Sequence, residues 1–185
     1  MNRDKLKQSI NQHEGCIHHM YLDTRGNVTI AVGQLVSSAT DAVKLSLVVR
    51  ETQQQATDEQ ITAEYDRMLQ QQPGKIAAAY KAVTQLEMTH QRVDELLDQR
   101  IDEFTTGIKG QLNDFDSYPE PAQEALLDMA FNLGVAGLRR KFPTMMGAAA
   151  RKDWQTCAAE CSRRGISDHR NQATQALFQA AESGS

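Results

Sequence analysis

The hydrophobic residues of this chain recur mostly at helical spacing, and alternating spacing occurs in one place. Leu6 and Ile10 form an apolar stripe that predicts a helix over residues 2–14. Gly15 follows as a natural helix-ending residue, because glycine readily adopts the left-handed conformation that closes many helices. Residues 21–32 read YLD, then a turn TRGN, then the alternating VTIAV. This pattern predicts a β-hairpin, the only convincing strand region in the sequence.

The sequence pattern after residue 37 predicts helices and the connectors between them. Thr57 with Gln60 three positions later is a capping-box pattern, which marks the start of a helix. Thr89 predicts the N-cap of a longer helix whose apolar residues recur at near-helical intervals. These apolar residues are Val93, Leu96, Leu97, Ile101, Phe104 and Ile108. Residues 41–50, DAVKLSLVVR, fit a short helix and a strand equally well, and residues 76–87, IAAAYKAVTQLE, are compatible with a helix.

The segment QEALLDMAFNLG, residues 123–134, is apolar nearly all round. A helix of that kind lies buried, so we expect it at the centre of a helical lobe, with Gly134 and Gly137 ending it. Three shorter helices are predicted to follow, near residues 144–150, 153–162 and 168–182. The fold class predicted from these elements is α+β and mostly α, with one small β-hairpin and a larger helical lobe.

A chain of 185 residues is long enough for one domain with a substantial core. We expect a single domain over residues 1–185, whose small lobe spans residues 15–88. Its helical lobe would span residues 89–182 and include the N-terminal helix. The polar start MNRDKLKQSI lacks the apolar core of a Sec signal, so we expect synthesis in the cytoplasm. No apolar run reaches the roughly 18 residues of a membrane helix, so we expect no membrane partner.

The net charge of −4 argues against a general nucleic-acid binder, which normally carries a basic surface. The charge is nevertheless uneven along the chain. Eight basic and four acidic residues follow position 135, so this part carries +4 and the remainder −8. Two interpretations stay open for the basic part: solvated helix faces, or a basic wall beside an anionic polymer.

The cysteines and histidines show no pattern of a metal site or of a disulfide framework. Cys157 and Cys161 lie four residues apart on one predicted helix face, and we expect both to be buried packing thiols. A disulfide from Cys16 to one of them is an open alternative. The cluster of His13, His18 and His19 is expected on the surface, and Trp154 in the core.

Two carboxylates near the hairpin have complementary chemistry. Glu14 ends the first predicted helix, where the helix dipole and partial burial both raise the pKa of a carboxyl group. A protonated carboxyl group can protonate a departing glycosidic oxygen. Asp23, in a polar turn, should stay ionised and orient or deprotonate a water, and the hairpin can bring the Thr29 hydroxyl close to it. On the pattern alone, ordinary helix-stop and turn roles are the commoner explanation.

The spacing E-G-x5-Y-x-D-T-x-G-x2-T-I-x-x-G, from Glu14 to Gly33, resembles the catalytic signature of the phage-type lysozymes, glycoside hydrolase family 24. Two downstream blocks agree with this family in the same order. ALLDMAFNLG, residues 125–134, resembles its buried central helix with the F-N-x-G ending. Residues 152–178 resemble its W-x-x-A helix followed by an arginine-bearing loop and helix. The resemblance implies a lysozyme-like, two-lobed fold with a cleft between the lobes.

The resemblance also implies an activity: cleavage of the β-1,4 bond between N-acetylmuramic acid and N-acetylglucosamine in peptidoglycan, with inversion and without metal or organic cofactor. Glu14 would be the general acid. Asp23 would position and activate the attacking water, and Thr29 would help to hold it. The residues implied to contact the substrate are Tyr21, Phe131, Asn132 and Arg170.

The chain departs from the family pattern beside this site. Members commonly read T-I-G-x-G-H where this chain has Ala31 and Gln34 in place of the first glycine and the histidine. Residues 36–83 resemble an insertion of two or three helices in the small lobe. Enlarged domains of this kind resemble those of secreted antibacterial toxins and effectors.

That likeness implies action on the periplasmic cell wall after delivery by a secretion system or phage lysis machinery. It also implies a monomer, with an immunity or inhibitor protein as a further partner. The rival hypotheses are a lysozyme fold that binds peptidoglycan or an inhibitor without cutting, and a helical interaction domain.

Overall fold

The computed structural model describes residues 1–184, apart from the side chains of His13 and Glu14. Glu14, the predicted general acid, therefore lies outside the described side chains, although its place in the backbone is described. The chain is mostly helical with two small antiparallel sheets, as the sequence predicts for an α+β fold. Among the helices that the structure describes, none combines the length and hydropathy that a membrane-crossing segment requires.

The chain divides into two compact units. The sheet unit is Glu14–Asp98, and the helical unit combines Met1–His13 with Gln99–Ser185. The elements that lie in the sheet unit are β1 (Ile17–Leu22), β2 (Val28–Ala31), β3 (Gln34–Leu35), α2 (Ala39–Val43), β4 (Val48–Val49), α3 (Asp58–Leu69), a 3-10 helix (Ala77–Val83) and β5 (Leu86–Glu87).

The remaining elements belong to the helical unit or enter it. They are α1 (Arg3–Glu14), α4 (His90–Lys109), a short 3-10 helix (Phe115–Ser117), α5 (Glu120–Leu133), α6 (Val135–Lys141), α7 (Pro143–Ala150), α8 (Trp154–Glu160) and α9 (Asp168–Ser183). Residues at the end of α1 and the start of α4 are counted with the sheet unit.

The sheet unit has a core that its inserted segment shares with the hairpin. Met20 and Ile30, from β1 and β2, are fully buried in one cluster with Ile61 and Met68 of α3 and with Tyr80. Residues 36–83 therefore supply much of the apolar surface that covers the hairpin sheet. The capping box predicted at Thr57 is present: its hydroxyl accepts from the Gln60 N–H, and the Gln60 side chain accepts from the Thr57 N–H.

The helical unit packs around α5. Within α5, Ala125, Leu126, Met129 and Ala130 have no exposed surface, which confirms the prediction of a buried central helix. Trp154 is buried as predicted, with Tyr118 and Phe178 as ring neighbours at centroid distances of 4.9 and 6.4 Å. The thiols predicted to be buried, Cys157 and Cys161, are buried and free, and Cys16 is also free.

The open alternative at residues 41–50 is resolved, and four other predictions need correction. Residues 41–50 hold both candidate elements, because α2 ends at Val43 and β4 begins at Val48. The predicted helix over residues 76–87 is a 3-10 helix followed by β5. A second sheet, β4 with β5, accompanies the hairpin. Gly137 does not end α5 but lies within α6.

The fourth correction concerns His19, which was expected on the surface. It is buried, and a ring nitrogen, Nε2, lies 3.0 Å from the Ala77 carbonyl oxygen. The inserted segment covers this histidine, so its burial depends on a contact between residues far apart in sequence.

Candidate functional site

The first site residue, Glu14, is the last residue of α1. Gly15 follows with φ +71°, the left-handed conformation that glycine adopts without steric cost. An added Cβ at Gly15 would meet nothing within 4 Å, so backbone conformation rather than space requires glycine here. The helix therefore ends where the sequence predicts, and Glu14 stands at the negative end of the α1 dipole.

The hairpin that follows holds three of the predicted residues. β1 and β2 pair antiparallel, with Tyr21 opposite Thr29 and Leu22 opposite Val28. Directly opposed residues point to one face of a sheet, so Tyr21 and Thr29 share a face. β3 extends this sheet on the far side of β2.

Asp23 directly follows β1 and organises the turn. Its Oδ1 accepts hydrogen bonds from the backbone N–H groups of Arg25 and Asn27, each at 2.8 Å. Its Oδ2 accepts one from the Asn27 side-chain amide at 3.0 Å. Slight burial works to raise the pKa of Asp23, but these hydrogen bonds outweigh it and lower the pKa below its ordinary value. Asp23 is therefore an ionised carboxylate near neutral pH.

Thr29 is buried in β2, and its hydroxyl donates to the Asn27 carbonyl oxygen at 3.1 Å. The same carbonyl accepts the Asp23 backbone N–H at 2.9 Å. Within the described residues no hydrogen bond joins the Asp23 carboxylate directly to the Thr29 hydroxyl. Asn27 therefore links the two predicted water-binding residues, a role that the sequence pattern did not reveal.

The two departures from the family pattern lie at the other end of β2. Ala31 has φ +53° and is buried opposite Ile17. A left-handed conformation at a residue with a Cβ costs about 1–2 kcal/mol, which is why glycine suits this position. Gln34 begins β3, and its side-chain amide donates to the Leu35 carbonyl at 3.1 Å.

Phe131 and Asn132 lie in the last turn of α5, and both side chains are partly exposed. The Phe131 ring packs edge-to-face against Phe104, with centroids 4.8 Å apart. The Arg100 guanidinium lies 5.4 Å from the Phe104 centroid. Phe131 thus packs against an aromatic neighbour on α4 and remains partly exposed.

Arg170, the remaining predicted residue, lies in the first turn of α9 and is buried. Its Nε and Nη2 donate to Asp128 Oδ1 at 3.1 and 2.8 Å. The other oxygen, Oδ2, accepts from Thr174 Oγ1 at 3.1 Å and lies 2.8 Å from Arg163 Nη2. Burial works to raise the pKa of Asp128, but the two arginines outweigh it and lower the pKa.

Sequence reasoning missed the partners of Arg170. Asp128 is the one charged residue in the apolar run of residues 125–131, and that is a usable signal because buried carboxylates require cationic or hydrogen-bonding partners. Nothing comparable marks Arg163 or Thr174 in the sequence. Within residues 1–184, less the side chains at 13 and 14, no three His, Cys, Asp or Glu side chains lie together in an arrangement that could hold a metal ion.

Comparison with known proteins gives one family. The family model described as phage lysozyme matches residues 11–179, most of the chain. This match includes the hairpin, the central helix α5 and most of α9. No curated protein matches the chain.

Proposed function

Because this chain belongs to the phage lysozyme family, it is a peptidoglycan-cleaving glycoside hydrolase, and we propose that Glu14, Asp23 and Thr29 carry its chemistry. Glu14 is the general acid that protonates the leaving glycosidic oxygen. Asp23 is the base that orients and deprotonates the attacking water, with Thr29 as a second anchor for that water. The bond cleaved is the β-1,4 bond between N-acetylmuramic acid and N-acetylglucosamine.

The observation that carries the proposal is the hydrogen-bond state of Thr29. Its single hydroxyl proton is donated to the Asn27 carbonyl, so its oxygen can only accept from a water. Asp23 Oδ2 accepts one bond from Asn27 and has a further acceptor position. A water that donates one proton to each of these oxygens keeps a lone pair for attack on the anomeric carbon.

The proton balance follows from these assignments. As the water oxygen bonds to the anomeric carbon, one water proton passes to Asp23. The proton of Glu14 passes to the oxygen of the departing sugar, and the glycosidic bond breaks. Direct attack by water on the face opposite the leaving group inverts the anomeric carbon. The remaining contacts assigned to the substrate are made by Tyr21, Phe131 and Asn132.

We propose a supporting role for Arg170 rather than a free contact with the sugar. Its guanidinium is buried and bound to Asp128 through two nitrogens, which fixes its orientation. It is a positioning residue in this proposal, because it holds Asp128 of α5, the helix whose last turn carries Phe131 and Asn132.

Digestion of purified peptidoglycan tests the proposal. The wild-type protein should release muropeptides with new N-acetylmuramic acid reducing ends, seen by mass spectrometry after borohydride reduction. Glu14→Gln should release none while keeping its thermal unfolding transition, and Asp23→Asn should be severely impaired. NMR of the first products should show the α-anomer. A fully active Glu14→Gln variant would overturn the assignment, and β-anomer products would overturn inversion.

The rival function is a module that binds peptidoglycan without cutting it, and its only support is the two departures from the family pattern, the strained Ala31 and Gln34. It predicts binding without new reducing ends, so the same digestion separates the two.

An antibacterial role belongs to the same proposal. Expression of the chain with an added export signal should lyse the producing bacterium, whereas the exported Glu14→Gln variant should not. Survival of cells that export the active protein would contradict this role.

A further inference from the structure

One stretch of the helical unit is strongly basic in an otherwise acidic protein. Residues 129–152 contain five basic residues and no acidic one. The chain as a whole carries −4, so the rest of it carries −9. The five basic residues are Arg139, Arg140, Lys141, Arg151 and Lys152, and all five are exposed.

Among the residues that the structure describes, none of the five forms an ion pair. The three on α6 occupy its last turn, where cations interact favourably with the helix dipole. Arg151 is the C-cap residue of α7 and interacts with that helix dipole in the same way. Lys152 donates to the Ser117 hydroxyl at 3.1 Å and lies over the Tyr118 ring, so neither contact supplies a negative charge.

Two of the guanidinium groups border a groove. Arg139 lines a groove of about 460 Å³ together with residues that directly follow α4 and residues of α7. These residues are Gly110, Gln111, Leu112, Pro143, Met146, Gly147 and Ala150. We call this the basic groove. The Arg151 guanidinium lies beside this groove. Its Nη1 would be 3.6 Å from a Cβ added at Gly147, which is one of the lining residues.

The shape and charge of the basic groove define the ligand that it fits. Guanidinium groups bind planar carboxylates with two parallel hydrogen bonds, and the exposed Pro143 and Ala150 of the lining suit small aliphatic side chains. Peptidoglycan, the substrate class of this family, carries short stem peptides that combine free carboxylates with methyl side chains. We propose that the basic groove binds these carboxylates and so holds the enzyme on the wall. This inference rests on the proposed function.

A membrane surface fits the groove less well. Membrane-surface binding by a basic face normally needs apolar side chains beside it that enter the acyl region. The large hydrophobic residues exposed in the described chain are Leu35, Leu69 and Ile76, and all three lie in the sheet unit. The basic groove therefore has charge without an apolar anchor, which favours a soluble or wall-attached anion.

Binding to insoluble peptidoglycan tests the inference. In the Glu14→Gln background, which prevents digestion, the double change Arg139→Gln and Arg151→Gln should weaken binding roughly tenfold, a loss of about 1.4 kcal/mol. It should also flatten the dependence of binding on salt. The matched control changes two exposed lysines of the sheet unit, Lys44→Gln and Lys75→Gln, and should bind as the parent does. Equal binding by the groove variant and the control would overturn the inference.

The substrate can be altered in parallel. Amidation of the stem-peptide carboxylates should reduce binding of the parent to the level of the groove variant. Removal of wall phosphate polymers should leave binding unchanged. If removal of these polymers weakens binding and amidation does not, the groove binds phosphate and the inference is overturned.

Hydrolysis separates this inference from the proposed function. In the protein with Glu14 intact, the groove variant should cut peptide-free glycan strands at the wild-type rate and intact sacculi more slowly. An equal loss on both substrates would show a defect in the enzyme itself and contradict the inference. If the wild-type protein cuts neither substrate, the proposed function fails, and the binding comparison still decides the role of the groove.

Discussion

Asp23 and Thr29 are connected through one backbone carbonyl, that of Asn27. The Asp23 N–H donates to this oxygen at 2.9 Å and the Thr29 hydroxyl at 3.1 Å. The turn geometry that places the carboxylate thus also fixes the direction of the hydroxyl proton. The Thr29 oxygen is left free to accept a hydrogen bond. Substitutions can therefore separate the contribution of Thr29 to hydrolysis from its contribution to the stability of the fold.

Thr29→Val removes the hydroxyl and keeps the shape, whereas Thr29→Ser keeps the hydroxyl. The Asn27 carbonyl retains its bond from Asp23 in both variants, so we expect the valine variant to lose at most about 1–2 kcal/mol of unfolding free energy. Its rate of reducing-end release should fall about 10- to 100-fold, because an attacking water loses one anchor. The serine variant should stay within about threefold of wild type. Equal activity of the valine and serine variants would remove Thr29 from the mechanism.

Ala31→Gly should leave the stability nearly unchanged. Glycine relieves about 1–2 kcal/mol of left-handed strain at φ +53°. It also removes a buried methyl group, worth about 0.8 kcal/mol, and adds backbone entropy to the unfolded chain, worth about 0.5–1 kcal/mol. These terms nearly cancel, so urea denaturation should place the variant within about 1 kcal/mol of wild type.

Ala31→Val serves as the contrasting variant at the same position. A β-branched residue is a steric outlier at positive φ, and its extra carbons enter a packed site. We expect a loss of more than about 2 kcal/mol from the two effects together. A valine variant as stable as the glycine variant would show that the strain is absent in solution.

The parts of the fold that the sequence predicts are those decided by neighbouring residues. Gly15 ends α1, Thr57 caps α3, and the turn before Val28 forms the hairpin, each through contacts within a few positions. The β4–β5 pair was not predictable, because strands of two residues show no alternation and join Val48, inside the insertion, to Glu87, which follows it.

The candidate site likewise has one part that the sequence predicts and one part that it does not. The hairpin residues were identifiable from their spacing, since the turn itself determines their positions. The surroundings of Arg170 were not identifiable, because Asp128 lies 42 positions away and meets it only when α5 packs on α9. Which buried charge pairs with which is decided by tertiary packing, and a single sequence carries little information on it.

The pairing of Asp128 with two arginines predicts unequal costs of substitution. Asp128→Ala leaves Arg163 and Arg170 as buried cations without their carboxylate, so we expect a loss of about 3–5 kcal/mol. Arg163→Met leaves Asp128 bound by Arg170 and Thr174. It also removes two buried nitrogens, Nε and Nη1, that have no hydrogen-bond partner within the described residues. Its cost should be at most about 2 kcal/mol. Equal costs in urea denaturation would contradict this account.

Acid should weaken the protein partly through Asp128. The pKa of Asp128 in the folded protein is below its unfolded value of about 3.9, so its ionised form stabilises the fold. This contribution is complete above about pH 4 and is lost as the pH falls through the folded pKa. The stability difference between wild type and Asp128→Asn should therefore be constant from about pH 7 to pH 5 and shrink below about pH 4. A difference that does not change with pH would exclude this linkage.

Gly15 offers the clearest separation of stability from activity, because the chain contains a matched glycine. Gly15 and Gly74 have φ +71° and +85°, and an added Cβ would meet nothing within 4 Å at either position. Alanine should therefore impose the same backbone strain of about 1–2 kcal/mol at both.

Gly74 lies in a surface turn of the insertion, whereas Gly15 directly follows Glu14. If Glu14 is the general acid, Gly15→Ala should reduce hydrolysis about tenfold or more, because a small shift of a catalytic group is costly, while Gly74→Ala should not. Hydrolysis should be measured well below the melting temperatures of both alanine variants. Equal activity of two equally destabilised variants would mean that the end of α1 does not position the catalytic acid.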